Sequence, residues 1–234
     1  MEWKIVHIDE TDSTNRWLRE QGGEADLVVW TDFQTAGRGC GTNEWESERG
    51  SNLMFSMLLH PVDVLVREQF RISMAVSVAL REVLSHYADG FTIKWPNDIY
   101  WLNYKICGIL IEIRVQGGHL KDCIVGVGLN VNQKQFRSDA PNPISLSQII
   151  GHDINRERLL RAFLERFEDA FERETLAEDY GNSLFRREEW AEYADETGCF
   201  KAVLNGVEPD GRLVLTDEVG RQRTYAFKEV KFII

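Results

Sequence analysis

Thr35-Ala36-Gly37-Arg38-Gly39-Cys40-Gly41-Thr42-Asn43-Glu44-Trp45 sets three glycines at alternating positions around one arginine and closes on a tryptophan. Glycine frees the backbone for left-handed φ and lets amides approach an anion closely, while Arg38 adds a permanent forked cation. That combination suits the phosphate of a reactive phosphoryl compound. An ordinary surface loop has the same composition, so both readings are open at this point. No Gly-Lys-Ser/Thr follows, and the spacing is not the dinucleotide fingerprint, so neither standard nucleotide fold is expected. The flanks, Leu27-Val28-Val29-Trp30 and Asn52 to Leu59, are compact apolar runs of strand length, which slings the loop between two strands.

Composition narrows the class. The 234 residues, 43% of them hydrophobic, suffice for one large core or one core plus a small module. Apolar runs such as Ile109-Leu110-Ile111 are far too short to cross a bilayer, and Met1-Glu2-Trp3-Lys4 leads into charged sequence, so a soluble cytoplasmic protein with no membrane partner is expected. A formal net charge of -11 argues against general nucleic-acid binding, which needs a basic face to displace counterions. Cys40, Cys107, Cys123 and Cys199 are scattered without metal-ligand or redox spacing, which predicts reduced thiols. The five histidines show no ligand spacing and take no role.

Outward from the glycine stretch, Glu2 to Ile8 alternates as a strand, and the polar run Asp9 to Asn15 leads into a short helix at Arg16 to Glu20. Ser13 and Thr14 read first as helix caps. Downstream, Arg67 to Tyr87 has helical apolar spacing and forms the main core helix. Phe91 to Trp95 is a strand halted at Pro96. Lys105 to Ile113 and Cys123 to Val131 pair around the turn Gln116-Gly117-Gly118-His119. Ser145 to Ile150 opens a second helical region, and Arg156 to Leu176 is a long amphipathic helix. Asp179-Tyr180-Gly181-Asn182-Ser183 is the candidate domain boundary. Beyond it, strands at Lys201 to Leu204, Arg212 to Thr216 and Thr224 to Phe227 suit a small β-barrel that leans on the main domain.

A second polar cluster, Lys94-Trp95-Pro96-Asn97-Asp98, precedes Lys105 by seven residues, counting from Asp98. Asp98 suits Mg²⁺ bridging phosphates, because hard cations take carboxylate oxygen; a turn aspartate satisfying local amides fits equally. Lys105 projects from the edge of an apolar strand. Gly126 and Gly128 mark a place where a ligand or another chain passes close to the sheet.

Order and spacing of these segments together resemble the biotin protein ligases. The resemblance runs through Ser13-Thr14-Asn15, Gln34 to Gly39 with Trp45, Gly50-Ser51-Asn52-Leu53, Lys94-Trp95-Pro96-Asn97-Asp98 with Lys105, Gly108-Ile109-Leu110-Ile111-Glu112 and Gly128-Leu129-Asn130. It covers about residues 5 to 132 in motif form and resumes more weakly from Phe185 to Ile234. It implies an α+β protein: a mixed β-sheet catalytic domain packed with helices, class II synthetase-like, over residues 1–180, and an SH3-like β-barrel over 183–234. Nothing like the helix-turn-helix domain of the repressor members precedes Met1, so the short class, with no DNA partner, is expected.

By the same resemblance, biotin carboxylate attacks the α-phosphorus of ATP to give biotinyl-5′-AMP and pyrophosphate. A lysine of a biotin carboxyl carrier protein, or of a carboxylase's biotin-acceptor domain, then takes the biotin. Arg38 and Lys105 are the implied catalytic pair, converging on one pocket. Ser13, Thr14, Asn15, Gln34, Arg38, Gly39, Cys40 and Lys105 are implied for biotin, and Arg38, Trp45, Asn97, Lys105 and Asn130 for ATP, with Mg²⁺ on Asp98. Where the family pattern continues after Gly39 with a second Arg or a Gln and then a glycine two residues later, this chain has Cys40 and Thr42. That departure predicts faster leakage of the adenylate from the loop. Two alternatives stand beside this reading: a lipoate or octanoate ligase or transferase of the same fold, and a non-catalytic biotin-binding module.

Overall fold

A computed structural model describes residues 2–21, 26–41, 43–60, 64–137 and 142–234. Thr42, one of the two departures noted above, lies outside them. Eight-residue strand β1 (Lys4–Thr11) is followed by helix α1 (Thr14–Gln21), β2 (Leu27–Gln34), β3 (Leu53–Leu59), α2 (Phe70–Ser85), the hairpin β4 (Phe91–Lys94) and β5 (Asp98–Trp101), and the long hairpin β6 (Tyr104–Gln116) and β7 (His119–Leu129). Helices α3 (Leu146–Ile150), α4 (Arg156–Glu172) and α5 (Leu176–Asn182) come next, then β8 (Trp190–Asp195), β9 (Gly198–Val207), β10 (Leu213–Asp217), β11 (Gln222–Tyr225) and β12 (Lys231–Phe232).

The first seven strands form one sheet in the order β1-β2-β3-β7-β6-β5-β4, with β1 and β2 parallel and every other pair antiparallel. Alternation along the central strands divides it into two unlike faces. Phe55, Met57, Val125, Val127 and Leu129 bury one face in the same core as Ile72, Val76, Ala79 and Leu80 of α2 and Leu160, Phe163 and Phe167 of α4. At about 1.5–3 kcal/mol for each large side chain buried, this is the main stabilising contact of the fold. The other face carries Ser56, Gly108, Gly126 and Gly128, and α1 packs on part of it, through Leu18 against Val29, Leu58 and Ile124.

The last five strands form a separate antiparallel sheet, β11-β10-β9-β8-β12. It leans on the main sheet: the Trp95 indole donates to Gly211 O (2.9 Å), and Trp95 meets Phe227 edge-on. The mixed sheet with helices and the small all-antiparallel unit are both as expected.

Several elements differ from the sequence expectation. β2 runs on through Thr31 to Gln34, because parallel pairing with β1 holds that polar stretch in the sheet. The candidate boundary Asp179–Ser183 is largely helical. Four of its five residues belong to α5, and Tyr180 is buried and donates to Pro96 O (2.7 Å). The long helix stops at Glu172 because Arg173 turns to pair with Glu82 (2.7 Å) and Asp179 (2.9 Å), pinning the corner. His7 stacks on Trp30 and meets Asp32 (3.3 Å), whose second partner, Arg156, ties β2 to α4. All four cysteines are unpaired. No helix among the described residues is long and apolar enough to cross a membrane.

Candidate active site

The site is built on glycines. Gly108 of β6 stands directly opposite Gly128 of β7, and Gly126 lies two residues along the same face, opposite Ser56 of β3. Side chains are missing where the sheet would otherwise be covered, which leaves a trough. Trp45 lies in it: a β-carbon added at Gly128 would stand 2.4 Å from the indole Cε2, and one at Gly108 would stand 2.9 Å from Cζ3. A β-carbon at Gly126 would come within 2.2 Å of Asn15 Oδ1. The indole Nε1 is buried without a hydrogen-bond partner, an unpaired donor in the middle of the trough.

Trp45 is delivered there by a tight hairpin. Arg38 bridges Glu44, the Gly39 amide donates to Asn43 O (2.7 Å), and the Trp45 amide donates to Gly37 O (3.0 Å). Gly41 sits at the tip with φ +73°, a left-handed conformation that favours glycine. Gly37 has a separate reason to lack a side chain, since a β-carbon there would stand 2.6 Å from Trp45 O.

One wall comes from the start of α1. Ser13, Thr14 and Asn15 are buried, and the Thr14 side chain, read first as a helix cap, turns to β2 instead. The Thr14 amide (2.8 Å) and hydroxyl (3.1 Å) both donate to Gln34 Oε1, so the end of β2 receives the helix instead. Ser56 Oγ lies 2.6 Å from both Thr14 Oγ1 and Asn15 Oδ1, with one proton to give to either. Asn15 Nδ2 donates to Glu112 Oε2 (2.9 Å), while Arg19 (2.8 Å) and Arg38 (3.6 Å) share Glu112 Oε1. Ser13 and Arg38 open onto a cavity of about 280 Å³ that Asp12, Arg16, Arg19 and Ala36 complete.

At the other end of the trough Lys105 Nζ pairs with Asp98 Oδ2 (2.7 Å), and the lysine chain borders Gly108. Asn97 Nδ2 donates to Ile109 O (2.9 Å) and Asn130 Nδ2 to Ile144 O (3.1 Å), so each asparagine uses its amino group to hold backbone. Lys94 is seated between the rings of Tyr100 (5.6 Å) and Phe232 (4.9 Å). Burial pushes its amine below the ordinary lysine range, Asp98 acting in the opposite sense.

Arg38 and Lys105 border the same face of the sheet, but Lys105 does not line the cavity that Arg38 enters. Their neighbours Glu112 and Gly108 are four residues apart on β6, about 13 Å at the usual ~3.3 Å rise, and the Trp45 indole covers the glycines at the Lys105 end. Gly39 and Cys40 lie in the hairpin with Arg38. Sequence reasoning gave no role to Glu112, Arg19 or Ser56. The available signals were a carboxylate in phase with Gly108 on an apolar strand and a lone hydroxyl inside Leu53–Leu59.

Comparison with known proteins places the sequence and fold among relatives. The model of the Biotin/lipoate A/B protein ligase family matches residues 7–130. The bifunctional ligase/repressor BirA of Bacillus subtilis (strain 168) is 29% identical over 95% of this chain and 72% of its own length. The biotin--[acetyl-CoA-carboxylase] ligase of Paracoccus denitrificans is 28% identical over 92% of this chain and 95% of its own length. Among solved structures, the biotin protein ligase from Aquifex aeolicus in complex with biotin and ATP superposes with a TM-score of 0.78 at 27% identity, covering 98% of this chain and 99% of that one.

Proposed function

Because this chain belongs to the biotin/lipoate A/B protein ligase family, we propose that it is an ATP-dependent biotin protein ligase, forming biotinyl-5′-AMP and passing biotin to a lysine of a carboxylase's carrier domain. The observation that carries this reading is the chemical grading of the trough. Neutral hydrogen-bonding groups, Ser13, Thr14, Gln34 and Ser56, cluster at one side of a glycine floor on which Trp45 rests, and cations border it at Arg38 and Lys105.

A ureido ring is neutral, with a carbonyl acceptor and two N–H donors, so it needs hydroxyls and an amide rather than charge. Ser13, Thr14 and Gln34 supply them, and Asn15, fixed by Glu112 and Ser56, holds the wall they stand on. Gly108 and Gly128 give room for a flat apolar chain. Bringing a carboxylate against a triphosphate opposes two anions, so fixed cations contribute through position and charge. Lys105 lies between biotin carboxylate and α-phosphate, and Arg38 with the Gly39-Cys40 backbone closes the phosphoryl side. A carboxylate oxygen bonds to the α-phosphorus as the bond to the β-phosphate oxygen breaks, and pyrophosphate leaves with that electron pair. The acceptor lysine, as a free amine, then attacks the acyl carbon; AMP departs and the amine's proton passes to solvent. Neither Arg38 nor Lys105 becomes covalently modified. Trp45 offers an indole face to the adenine once it lifts from the glycines, and Asn97 and Asn130 border the nucleotide side.

Asp98 fits the Mg²⁺ implied for such a reaction. One of its oxygens is used by Lys105, which leaves the other for a hard cation, and a single carboxylate matches a metal that arrives already bound to phosphates. Bound there, the ion neutralises phosphate charge.

Incubating the protein with biotin, ATP, Mg²⁺ and a biotin-acceptor domain should raise the acceptor's intact mass by one biotinyl group. Calorimetric titration with biotin and with lipoate separates the family's two acids: tight lipoate binding without biotin heat would sink this proposal.

A further inference from the structure

We propose that Lys228, carried by the C-terminal sheet, is the second cation of the glycine hairpin and contacts the β- and γ-phosphates of ATP. This inference rests on the ligase reading above. The hairpin 38–44 ends in Cys40, Gly41 and Asn43 among its described residues and so brings no cation of its own beyond Arg38. Its tip nevertheless faces one. A β-carbon at Gly41 would stand 3.0 Å from Lys228 Nζ, an approach between residues 187 positions apart in the chain.

Three features separate Lys228 from a solvated surface lysine. Its backbone is left-handed, φ +73°, a conformation seldom adopted by a residue with a long side chain. The turn that imposes it is closed at both ends, with the Glu229 amide donating to Ala226 O (3.1 Å) and Glu229 Oε2 accepting from the Ala226 amide (2.7 Å). Its ammonium lies 5.7 Å from the ring of Phe227, which in turn packs against Trp95, so the arm is anchored beside the hairpin that carries Asp98. Finally, Arg38 shares Glu112 and Lys105 has Asp98, but Lys228 forms no ion pair with any described carboxylate. In a chain of net charge -11, a cation left without a described carboxylate partner beside the glycine hairpin is placed to meet a polyanion.

The test uses the full chain with Lys228→Ala, Lys228→Gly and Lys228→Arg, measuring biotin-dependent ATP–pyrophosphate exchange, MgATP and biotin binding by calorimetry, and Tm. Losing a charge-assisted phosphate contact should raise the KM and Kd for ATP roughly tenfold in the Ala and Gly variants while biotin affinity holds. Arg should restore ATP affinity. Gly also relieves the left-handed backbone, so its Tm should stay level or rise as ATP binding falls, which a purely structural lysine would not do. ATP affinities within twofold of the parent in both Ala and Gly would overturn the proposal, as would a Gly variant that loses Tm and ATP affinity together without rescue by Arg. A parent that binds ATP in a Lys228-dependent way yet shows no biotin-dependent exchange would sink the ligase reading and leave the phosphate contact standing.

Discussion

The Trp45 indole rests on Gly128, so closely that a single added methyl group there would lie 2.4 Å from the ring. Floor and lid of the site are thus complementary. Gly128→Ala should expel the indole and narrow the trough, at a stability cost of about 1–3 kcal/mol for overpacking, with biotin-dependent pyrophosphate exchange falling at least tenfold. Unchanged exchange and an unchanged Tm would show that the contact has no bearing on the site.

Glu112 joins Asn15, Arg19 and Arg38 through two carboxylate oxygens. Its side chain is 29% exposed, so the ion pairs should be worth only ~0–1 kcal/mol and Glu112→Gln should barely move Tm. Activity should respond more, by roughly tenfold, because two guanidinium groups lose the charge that orients them. A larger loss of Tm than of activity would reverse this assignment.

Lys105→Ala should reduce the first half-reaction by roughly 10²–10³-fold, the range for removing one preorganised group that stabilises transition-state charge. Pyrophosphate release is the direct readout, and a near-normal rate from this variant would contradict the role given to Lys105.

Cys40 stands where the family pattern places a long polar side chain. Cys40→Arg should prolong the half-life of preformed biotinyl-5′-AMP on the protein, measured by dilution into excess unlabelled adenylate. Equal half-lives in parent and variant would remove the leakage hypothesis.

Asp195 of β8 is held down to a pKa of about 2, first by the Thr197 hydroxyl (2.6 Å) and then by Tyr225 (2.7 Å), the Thr197 amide (2.8 Å) and Arg223 (3.3 Å). The folded value lies below the unfolded one of about 3.9. Its contribution is therefore present above roughly pH 4 and is lost as pH falls toward 2. Asp195→Asn should lower Tm at neutral pH, with the gap to the parent closing across that window; a gap independent of pH would exclude ionisation as the cause.

Local patterning located most of the strands and helices: α2 writes a period near 3.6 into the chain, while β6 and β7 read as apolar runs of strand length. The ends of elements were harder to read. β2 continues through polar residues since β1 pairs with them, and α5 occupies a stretch whose glycine and asparagine resemble a linker until Tyr180 finds Pro96 O. β12, at two residues, is too short to carry a period.

By itself the sequence determined the glycine loop, the apolar strands around it, the residue types at Arg38, Lys105 and Gln34, and the family resemblance they carry. Only the tertiary structure decided which residues meet. Asn15 reaches Glu112 across 97 positions, Ser56 joins two residues of α1, and Lys228 arrives at Gly41 from another sheet. Such contacts are set by strand register and by how sheets pack, and a one-residue slip would send each side chain to the opposite face. Spacing along the chain records what a residue offers; the folded sheet determines to whom.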